Sequence, residues 1–128
     1  MEQNRVRQLA VMAAALLAAG PAMAGGLLDI DGSYGNEAGC ATIANPDASV
    51  SDEMIVLNSE SASSYASYCT FKKLVASTAG ARTFESSCGS EGEETEETLQ
   101  LTVVDNGNRT FTVRFSTGEE WGPLARCQ

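Results

Sequence analysis

The sequence predicts an all-β protein: a small antiparallel barrel or sandwich of about seven short strands, held together by two disulfides. Three observations lead to this fold class. Short runs with strand-like alternation recur at intervals of about ten residues, with turn-forming residues between them. No window after residue 24 shows sustained helical periodicity. Four cysteines in a short chain are typical of a disulfide-bonded domain.

The first 24 residues have the features of a signal peptide. Arg5 and Arg7 precede a run of small apolar residues, and residues 22–24 (Ala-Met-Ala) have the pattern that signal peptidase recognises. The apolar run of about 11 residues is too short to cross a bilayer as a helix. We therefore expect cleavage after Ala24, a single β domain over residues 25–128 with no membrane span, and a periplasmic or secreted location.

The charge of the chain excludes several classes of function. Of its 17 acidic and 8 basic residues, Glu2, Arg5 and Arg7 lie in the predicted signal peptide, which leaves 16 acidic and 6 basic residues and a net charge of −10. So acidic a domain does not neutralise phosphates, and we expect no nucleic-acid partner. The partner itself is not predicted, although a basic protein would be complementary in charge.

The first half of the domain has the weaker strand pattern. Leu28, Ile30 and Tyr34 predict a first strand, and the run Met54-Ile55-Val56-Leu57 predicts another. Five serines fall within residues 59–67, so this stretch is either a polar edge strand or a loop.

Two hairpins and a last strand are predicted in the second half. Strands at 66–75 and 82–91 flank a turn at 76–81, with apolar side chains at even spacing on one face. Residues 98–104 and 110–115 alternate in the same way around Asp105-Asn106-Gly107-Asn108, and Asn-Gly tolerates the positive φ of a tight hairpin turn. The last strand runs from Trp121 to Cys127.

The four cysteines are predicted to form two disulfides. A zinc site is disfavoured, because no two of them have the spacing of two to four residues that structural zinc sites use. In the first hairpin Cys69 would face Cys88 across the strands, within reach of a disulfide, which leaves Cys40 to pair with Cys127. The alternative, Cys40 with Cys69 and Cys88 with Cys127, stays open.

An acidic run follows Cys88 and consists of Glu91, Glu93, Glu94, Glu96 and Glu97. It could bind a cation or a cationic partner, since hard cations prefer carboxylate oxygens. The alternative is a solvated loop, which we favour because neighbouring side chains of a strand point in different directions. Whether residues 91–97 bind a cation stays open, and we predict no metal site and no cofactor.

The residue types give little support for an enzyme. The chain has no histidine, so histidine-ligated metals and histidine-activated nucleophiles are excluded. Gly-x-Ser-x-Gly is absent, and no pair of carboxylates is singled out for glycoside chemistry. We predict no catalytic residues. Trp121, the only tryptophan, could be an exposed binding residue, but we expect it to close one end of the core.

Several segments together resemble a group of short exported proteins with four cysteines, chiefly from alphaproteobacteria, for which no function is assigned. The segments are Asp31-Gly32-Ser33-Tyr34-Gly35 with Cys40, Tyr68-Cys69-Thr70-Phe71, Cys88-Gly89-Ser90-Glu91-Gly92-Glu93 and Gly122-Pro123-Leu124-Ala125-Arg126-Cys127. The resemblance covers most of residues 25–128. It implies an exported, disulfide-bonded β domain and supplies no catalytic residues.

A second resemblance points to a function. Ser61-Ala62-Ser63-Ser64-Tyr65 is similar to the Ser-Gly-x-x-Tyr loop of periplasmic C-type lysozyme inhibitors, with alanine in place of the glycine. It implies an inhibitor of lysozyme or another secreted hydrolase that binds its partner through Ser61 and Tyr65. Our first expectation remains a non-enzymatic binding or envelope-associated module, with the inhibitor as the alternative.

Overall fold

The computed structural model describes residues 26–128 and contains eight antiparallel strands that close into a barrel in chain order, so that β8 pairs with β1. The predicted signal peptide and its cleavage site lie outside the described residues. The elements are β1 (Tyr34–Gly35), α1 (Glu37–Ala44), β2 (Ile55–Leu57), β3 (Ser61–Ser64), β4 (Ser67–Thr78), β5 (Ala81–Ser90), β6 (Glu97–Asp105), β7 (Thr110–Phe115) and β8 (Glu120–Arg126). The all-β prediction is confirmed, the barrel rather than the sandwich is formed, and the strand number is eight.

The serine-rich stretch supplies the additional strand. Residues 61–64 pair with β2 on one side and with β4 on the other. Ala62 is fully buried and points into the core, while the serines on either side of it are half-buried. A strand with one small apolar residue has almost no hydrophobic alternation, so its pattern does not distinguish it from a loop.

The structure contains one helix, α1, in a stretch where the sequence shows no sustained helical periodicity. This helix has only eight residues and buries only Gly39, so it has almost no apolar face to detect. Asn36 caps it, because the Asn36 Oδ1 atom accepts hydrogen bonds from the backbone N–H groups of Gly39, at 2.7 Å, and of Ile55, at 2.9 Å. The disulfide Cys40–Cys127 ties the helix to the end of β8. Tertiary contacts therefore hold a helix that would be too short to persist alone.

The hairpin of β4 and β5 contains the second disulfide. Cys69 lies directly opposite Cys88 in the strand register, and the two are bonded, as the spacing predicts. Both preferred pairings are thus confirmed. The predicted turn at 76–81 is too wide, since the strands continue to Thr78 and restart at Ala81, which leaves only residues 79 and 80 in the turn.

The hairpin of β6 and β7 agrees with the sequence prediction. Gly107 has φ of 83° in the connecting turn, where a residue without a Cβ atom is unstrained. Leu101 and Val103 on β6 and Val113 and Phe115 on β7 point into the barrel and are buried. Trp121 at the start of β8 is also buried, which confirms its place at one end of the core.

The core fills the centre of the barrel. Phe71 and Phe84 stack with ring centroids 4.6 Å apart, and Phe84 is completely buried. Ser86 is the buried polar residue beside them; its hydroxyl donates to the backbone carbonyl of Phe84 at 3.4 Å. The centre of the barrel is therefore packed with side chains, and its openings lie at the two ends.

The two ends of the barrel are closed differently. At one end, which we call the plugged end, residues 26–33 cross the opening and Leu28 inserts into the core. The backbone N–H of Leu28 donates to the Ser59 carbonyl at 3.0 Å. Only Tyr34 and Gly35 of the predicted first strand pair as a strand. The other end, which we call the mouth end, is the one toward which the connections 36–54, 65–66, 91–96 and 116–119 leave the strands; the first of these contains α1.

Within residues 26–128, no helix has both the length and the apolar character needed to cross a membrane.

Candidate functional site

A cavity of about 180 Å³ opens at the mouth end, and we call it the mouth. Its floor is apolar and is formed by Leu99, Phe115, Trp121 and the disulfide between Cys69 and Cys88. These side chains come from β4, β5, β6, β7 and β8. Each one lies near the mouth end of its strand, and the alternation of side chains along a strand directs it inward. The five side chains therefore meet inside the barrel at this end.

Trp121 fixes one wall of the mouth. Its ring packs edge-on against Phe115, with centroids 4.6 Å apart and planes at 64°. Its indole N–H donates to the Glu119 Oε2 atom at 2.8 Å. Since a buried indole needs an acceptor for its N–H, this bond holds the Glu119 carboxylate at the rim of the mouth.

The rim of the mouth is acidic. Glu93 lies in the β5–β6 connection, Glu97 begins β6, and Glu119 lies in the β7–β8 connection. All three line the same cavity and are exposed. A carboxylate-rimmed cavity above an apolar floor offers negative charge at its entrance and hydrophobic contact below.

The acidic run is split between the mouth and the solvent. Glu93 and Glu97 line the mouth, whereas Glu96 accepts a hydrogen bond from the Ser87 hydroxyl at 3.0 Å on the outer face of the barrel. Within residues 26–128, no three cysteine or acidic side chains come together as a group that could hold a metal ion.

Basic residues are unevenly distributed between the two ends. Within residues 26–128, Arg114 is the only basic residue near the mouth end, and it forms an ion pair with Glu120 at 2.9 Å. The other basic residues lie on the parts of the barrel toward the plugged end; they are Lys72, Lys73, Arg82, Arg109 and Arg126. The negative charge of the domain is thus concentrated at the mouth end.

The structure separates the two residues that the lysozyme-inhibitor resemblance singles out. They were expected in one loop, but residues 61–64 form β3, so Ser61 and Tyr65 lie at opposite ends of that strand. Ser61 is half-buried toward the plugged end, where its backbone N–H donates to Asn58 Oδ1 at 2.9 Å. Tyr65 lies in the short β3–β4 connection at the mouth end and is 52% exposed.

Tyr65 is close to the mouth. The next residue, Ala66, accepts a hydrogen bond through its carbonyl from the Glu91 N–H at 2.7 Å, and Ser67 lines the mouth itself. Tyr68, at the start of β4, is 47% exposed. Tyr68 alternates with the inward Cys69 and so lies on the outer face of the barrel. Tyr65 is therefore the exposed tyrosine of the connection next to the mouth, and tyrosine is enriched at protein–protein interfaces.

The four cysteines that the sequence singles out have different places. The Cys69–Cys88 disulfide forms part of the mouth floor, while the Cys40–Cys127 disulfide joins α1 to the end of β8 and is absent from the mouth. Glu119, Leu99 and Phe115 line the mouth although the sequence did not single them out as site residues. Two features of the sequence could have pointed to two of them. Glu119 lies two residues before the only tryptophan, and Leu99 alternates in step with Leu101 and Val103, which predicts that it faces the core.

The fold and the site define a small, closed, disulfide-bonded antiparallel barrel with one acidic mouth. No protein-family model, no curated protein and no solved structure matches this chain.

Proposed function

We propose that this protein is an exported, non-enzymatic binding module whose partner is a basic protein, bound at the mouth end. The observation that carries the proposal is the mouth itself, in which Glu93, Glu97 and Glu119 surround an apolar floor. The two disulfides support export, because such bonds form and persist in oxidising compartments.

A lysine or arginine side chain of the partner suits this cavity better than a small inorganic cation. Such side chains place their methylene stem on apolar surface and keep the charged head in polar surroundings. Here Leu99, Phe115 and Trp121 would contact the stem, and the rim carboxylates would face the head. An arginine head would also stack on the aromatic side chains.

A second candidate is an inhibitor of lysozyme or another secreted hydrolase, and Tyr65 favours it. Tyr65 is exposed beside the mouth, so a basic lysozyme held by the rim carboxylates would also meet this phenol ring. Ser61 contributes nothing to this version of the proposal, because it lies toward the other end of β3. An inhibitor would therefore bind its hydrolase through Tyr65 and the mouth, and not through residues 61–65 as a single loop.

The test is titration calorimetry of the purified protein with a basic C-type lysozyme and with cytochrome c, a second basic protein. The site variant carries Glu93→Gln, Glu97→Gln and Glu119→Gln. We expect micromolar or tighter binding at low salt that weakens as salt is added, and a loss of binding in the site variant.

A matched control carries Asp29→Asn, Asp47→Asn and Glu60→Gln, three exposed carboxylates that do not line the mouth. It changes the net charge by the same amount and should keep most of the affinity. If the affinity for the basic proteins falls equally in both variants, the attraction is non-specific and the mouth is not the binding site. No binding of either basic protein at high micromolar concentration would argue against it altogether.

An activity assay separates the two candidates. If the protein is an inhibitor, it should slow lysis of a peptidoglycan suspension by lysozyme, and Tyr65→Ala should relieve that inhibition while Tyr68→Ala serves as the neighbouring control. If the protein binds lysozyme without slowing lysis, the inhibitor candidate is rejected and the proposal of a binding module is retained. Release of reducing sugars by the protein alone would replace both with a carboxylate hydrolase, for which two carboxyl groups in one cleft are a requirement.

A further inference from the structure

The longest strand of the barrel extends past its neighbour. β4 pairs with β5 along its whole length, from Ser67 to Thr78, but it pairs with β3 only as far as Thr70. The last backbone bond across that side is from the Phe71 N–H to the Glu60 carbonyl, at 2.9 Å. In the part of the chain from 26 to 128, no strand pairs with the outer edge of residues 72–78, which we call the β4 edge.

The β4 edge is exposed and carries both apolar and basic side chains. All of residues 72–78 are exposed, and Leu74 and Val75 keep 43% and 41% of their surface in contact with solvent. Lys72 and Lys73 begin the edge, and on β5 the nearest acidic residue is Glu85, which lies opposite Lys73. The exposed Glu60, whose carbonyl accepts the Phe71 N–H, is a second acidic neighbour. The edge therefore presents two lysines next to two carboxylates, whereas the rim of the mouth presents carboxylates and no lysine.

An unpaired strand edge can accept a further strand, because its free N–H and C=O groups need partners. A second copy of this chain is a poor occupant. Two identical edges would bring Lys72 and Lys73 of one copy against the same lysines of the other, and lysines on an edge discourage such pairing. The complementary occupant is an extended segment that alternates apolar residues, which would cover Leu74 or Val75, with acidic residues, which would face the lysines.

We propose that the β4 edge binds an extended acidic peptide segment of a partner protein by strand addition. This site lies toward the plugged end and is separate from the mouth, so it stands independently of the proposed function. Main-chain hydrogen bonds would supply much of the affinity, and the two lysines would select for acidic side chains.

The probe is a fluorescent nine-residue peptide of alternating valine and glutamate, compared with its valine–lysine counterpart, and the readout is fluorescence anisotropy with the full-length purified protein. We expect the acidic peptide to bind and the basic one not to bind. The variant Lys72→Glu with Lys73→Glu should bind the acidic peptide roughly tenfold more weakly. Hydrogen exchange should show new protection within residues 72–78 and none at 91–97.

A proline variant tests the main-chain contribution. Val75 has no partner on β5, because a register shift between Leu74 and Ala76 places it in a bulge, where proline is tolerated. Val75→Pro should therefore keep the thermal unfolding temperature within a few degrees and abolish peptide binding, while Val75→Thr should keep both. If Val75→Pro fails to fold, the lysine variant and the exchange map still decide the matter.

Three results would overturn the proposal. The first is equal affinity for the acidic and the basic peptide, and the second is protection that maps outside residues 72–78. The third is a concentration-dependent dimer that disappears on Val75→Pro, since it would make a second copy the occupant. The mouth variant tests only lysozyme binding and the β4-edge variants test only peptide binding. Each of the two proposals can therefore be rejected without affecting the other.

Discussion

The indole N–H of Trp121 donates a 2.8 Å hydrogen bond to the Glu119 carboxylate, two residues earlier in the chain. Through this bond a core residue orients a surface charge. The ring of Trp121 is buried against Phe115, while Glu119 is exposed at the rim of the mouth. Packing of the barrel end and the electrostatics of the candidate site are therefore coupled at one residue pair.

This coupling predicts different effects for two conservative variants. Glu119→Gln keeps an acceptor for the indole but removes the charge, so stability should change by less than about 0.5 kcal/mol while binding of a basic protein weakens. Trp121→Phe removes the donor and part of the core volume, so the free energy of unfolding should fall by about 1–3 kcal/mol. Urea unfolding followed by circular dichroism measures both. Glu60→Gln, a loss of charge near the plugged end, is the control and should leave binding almost unchanged.

Phe84 is predicted to be the most sensitive aromatic position in the core. It is completely buried and stacks on Phe71, whereas Phe111 is half-buried. Phe84→Ala should reduce the free energy of unfolding by about 3–5 kcal/mol, because it removes a large buried ring and leaves a cavity. Phe111→Ala should cost clearly less. If urea unfolding shows that both variants lose the same free energy of unfolding, the Phe71–Phe84 pair does not form the centre of the core.

The two disulfides should contribute unequally to stability. In the chain-entropy model, a bridge across a separation of 87 residues, Cys40–Cys127, contributes more than 4 kcal/mol. The Cys69–Cys88 bridge, across 19 residues, contributes about 3 kcal/mol. Paired Cys→Ala variants measure each bridge separately by urea unfolding. Mass analysis of the non-reduced protein should find no free thiols, and four free thiols in exported protein would refute both bridges.

Tyr68 lies across Gly89 on the neighbouring strand. A Cβ atom added at Gly89 would come within 2.7 Å of the Tyr68 hydroxyl oxygen and 2.8 Å of the ring carbon that bears it. Gly89→Ala should therefore displace the ring, and because Tyr68 is 47% exposed and can move outward, the cost should be only about 0.5–1 kcal/mol.

A double-mutant cycle checks this interpretation of the contact. In the Tyr68→Ala background the added methyl group meets no ring, so Gly89→Ala should cost little there, and the two substitutions should be non-additive by at least about 0.5 kcal/mol. Strictly additive losses would show that the backbone at Gly89, rather than the ring, resists the substitution.

Much of the second half of the fold could be predicted from sequence. Alternation in residues 98–104 and 110–115 and the Asn-Gly turn define one hairpin, because both signals are local. Cys69 and Cys88 could be paired for the same reason, since a hairpin fixes which residues face each other. The first half gave weaker predictions: β3 has only one buried apolar side chain and α1 buries only a glycine.

The candidate site was only partly predictable. The sequence located the acidic run and assigned Trp121 to the end of the core, but it treated them as unrelated features. It also placed Ser61 and Tyr65 in one loop, whereas β3 separates them. Glu93 and Glu119 meet at one cavity only because the β5–β6 and β7–β8 connections emerge at the same end of the barrel.

The sequence by itself determined the all-β class, the strong negative charge, the lack of histidine chemistry and the hairpins, because composition, alternation and turn residues act locally. Only the tertiary structure decided that the strands close into a barrel rather than a sandwich, that the carboxylates gather around an apolar mouth, and that β4 extends beyond β3. These features depend on the register between strands that are distant in the chain. Register is set by the packing of the whole core, which no local pattern contains.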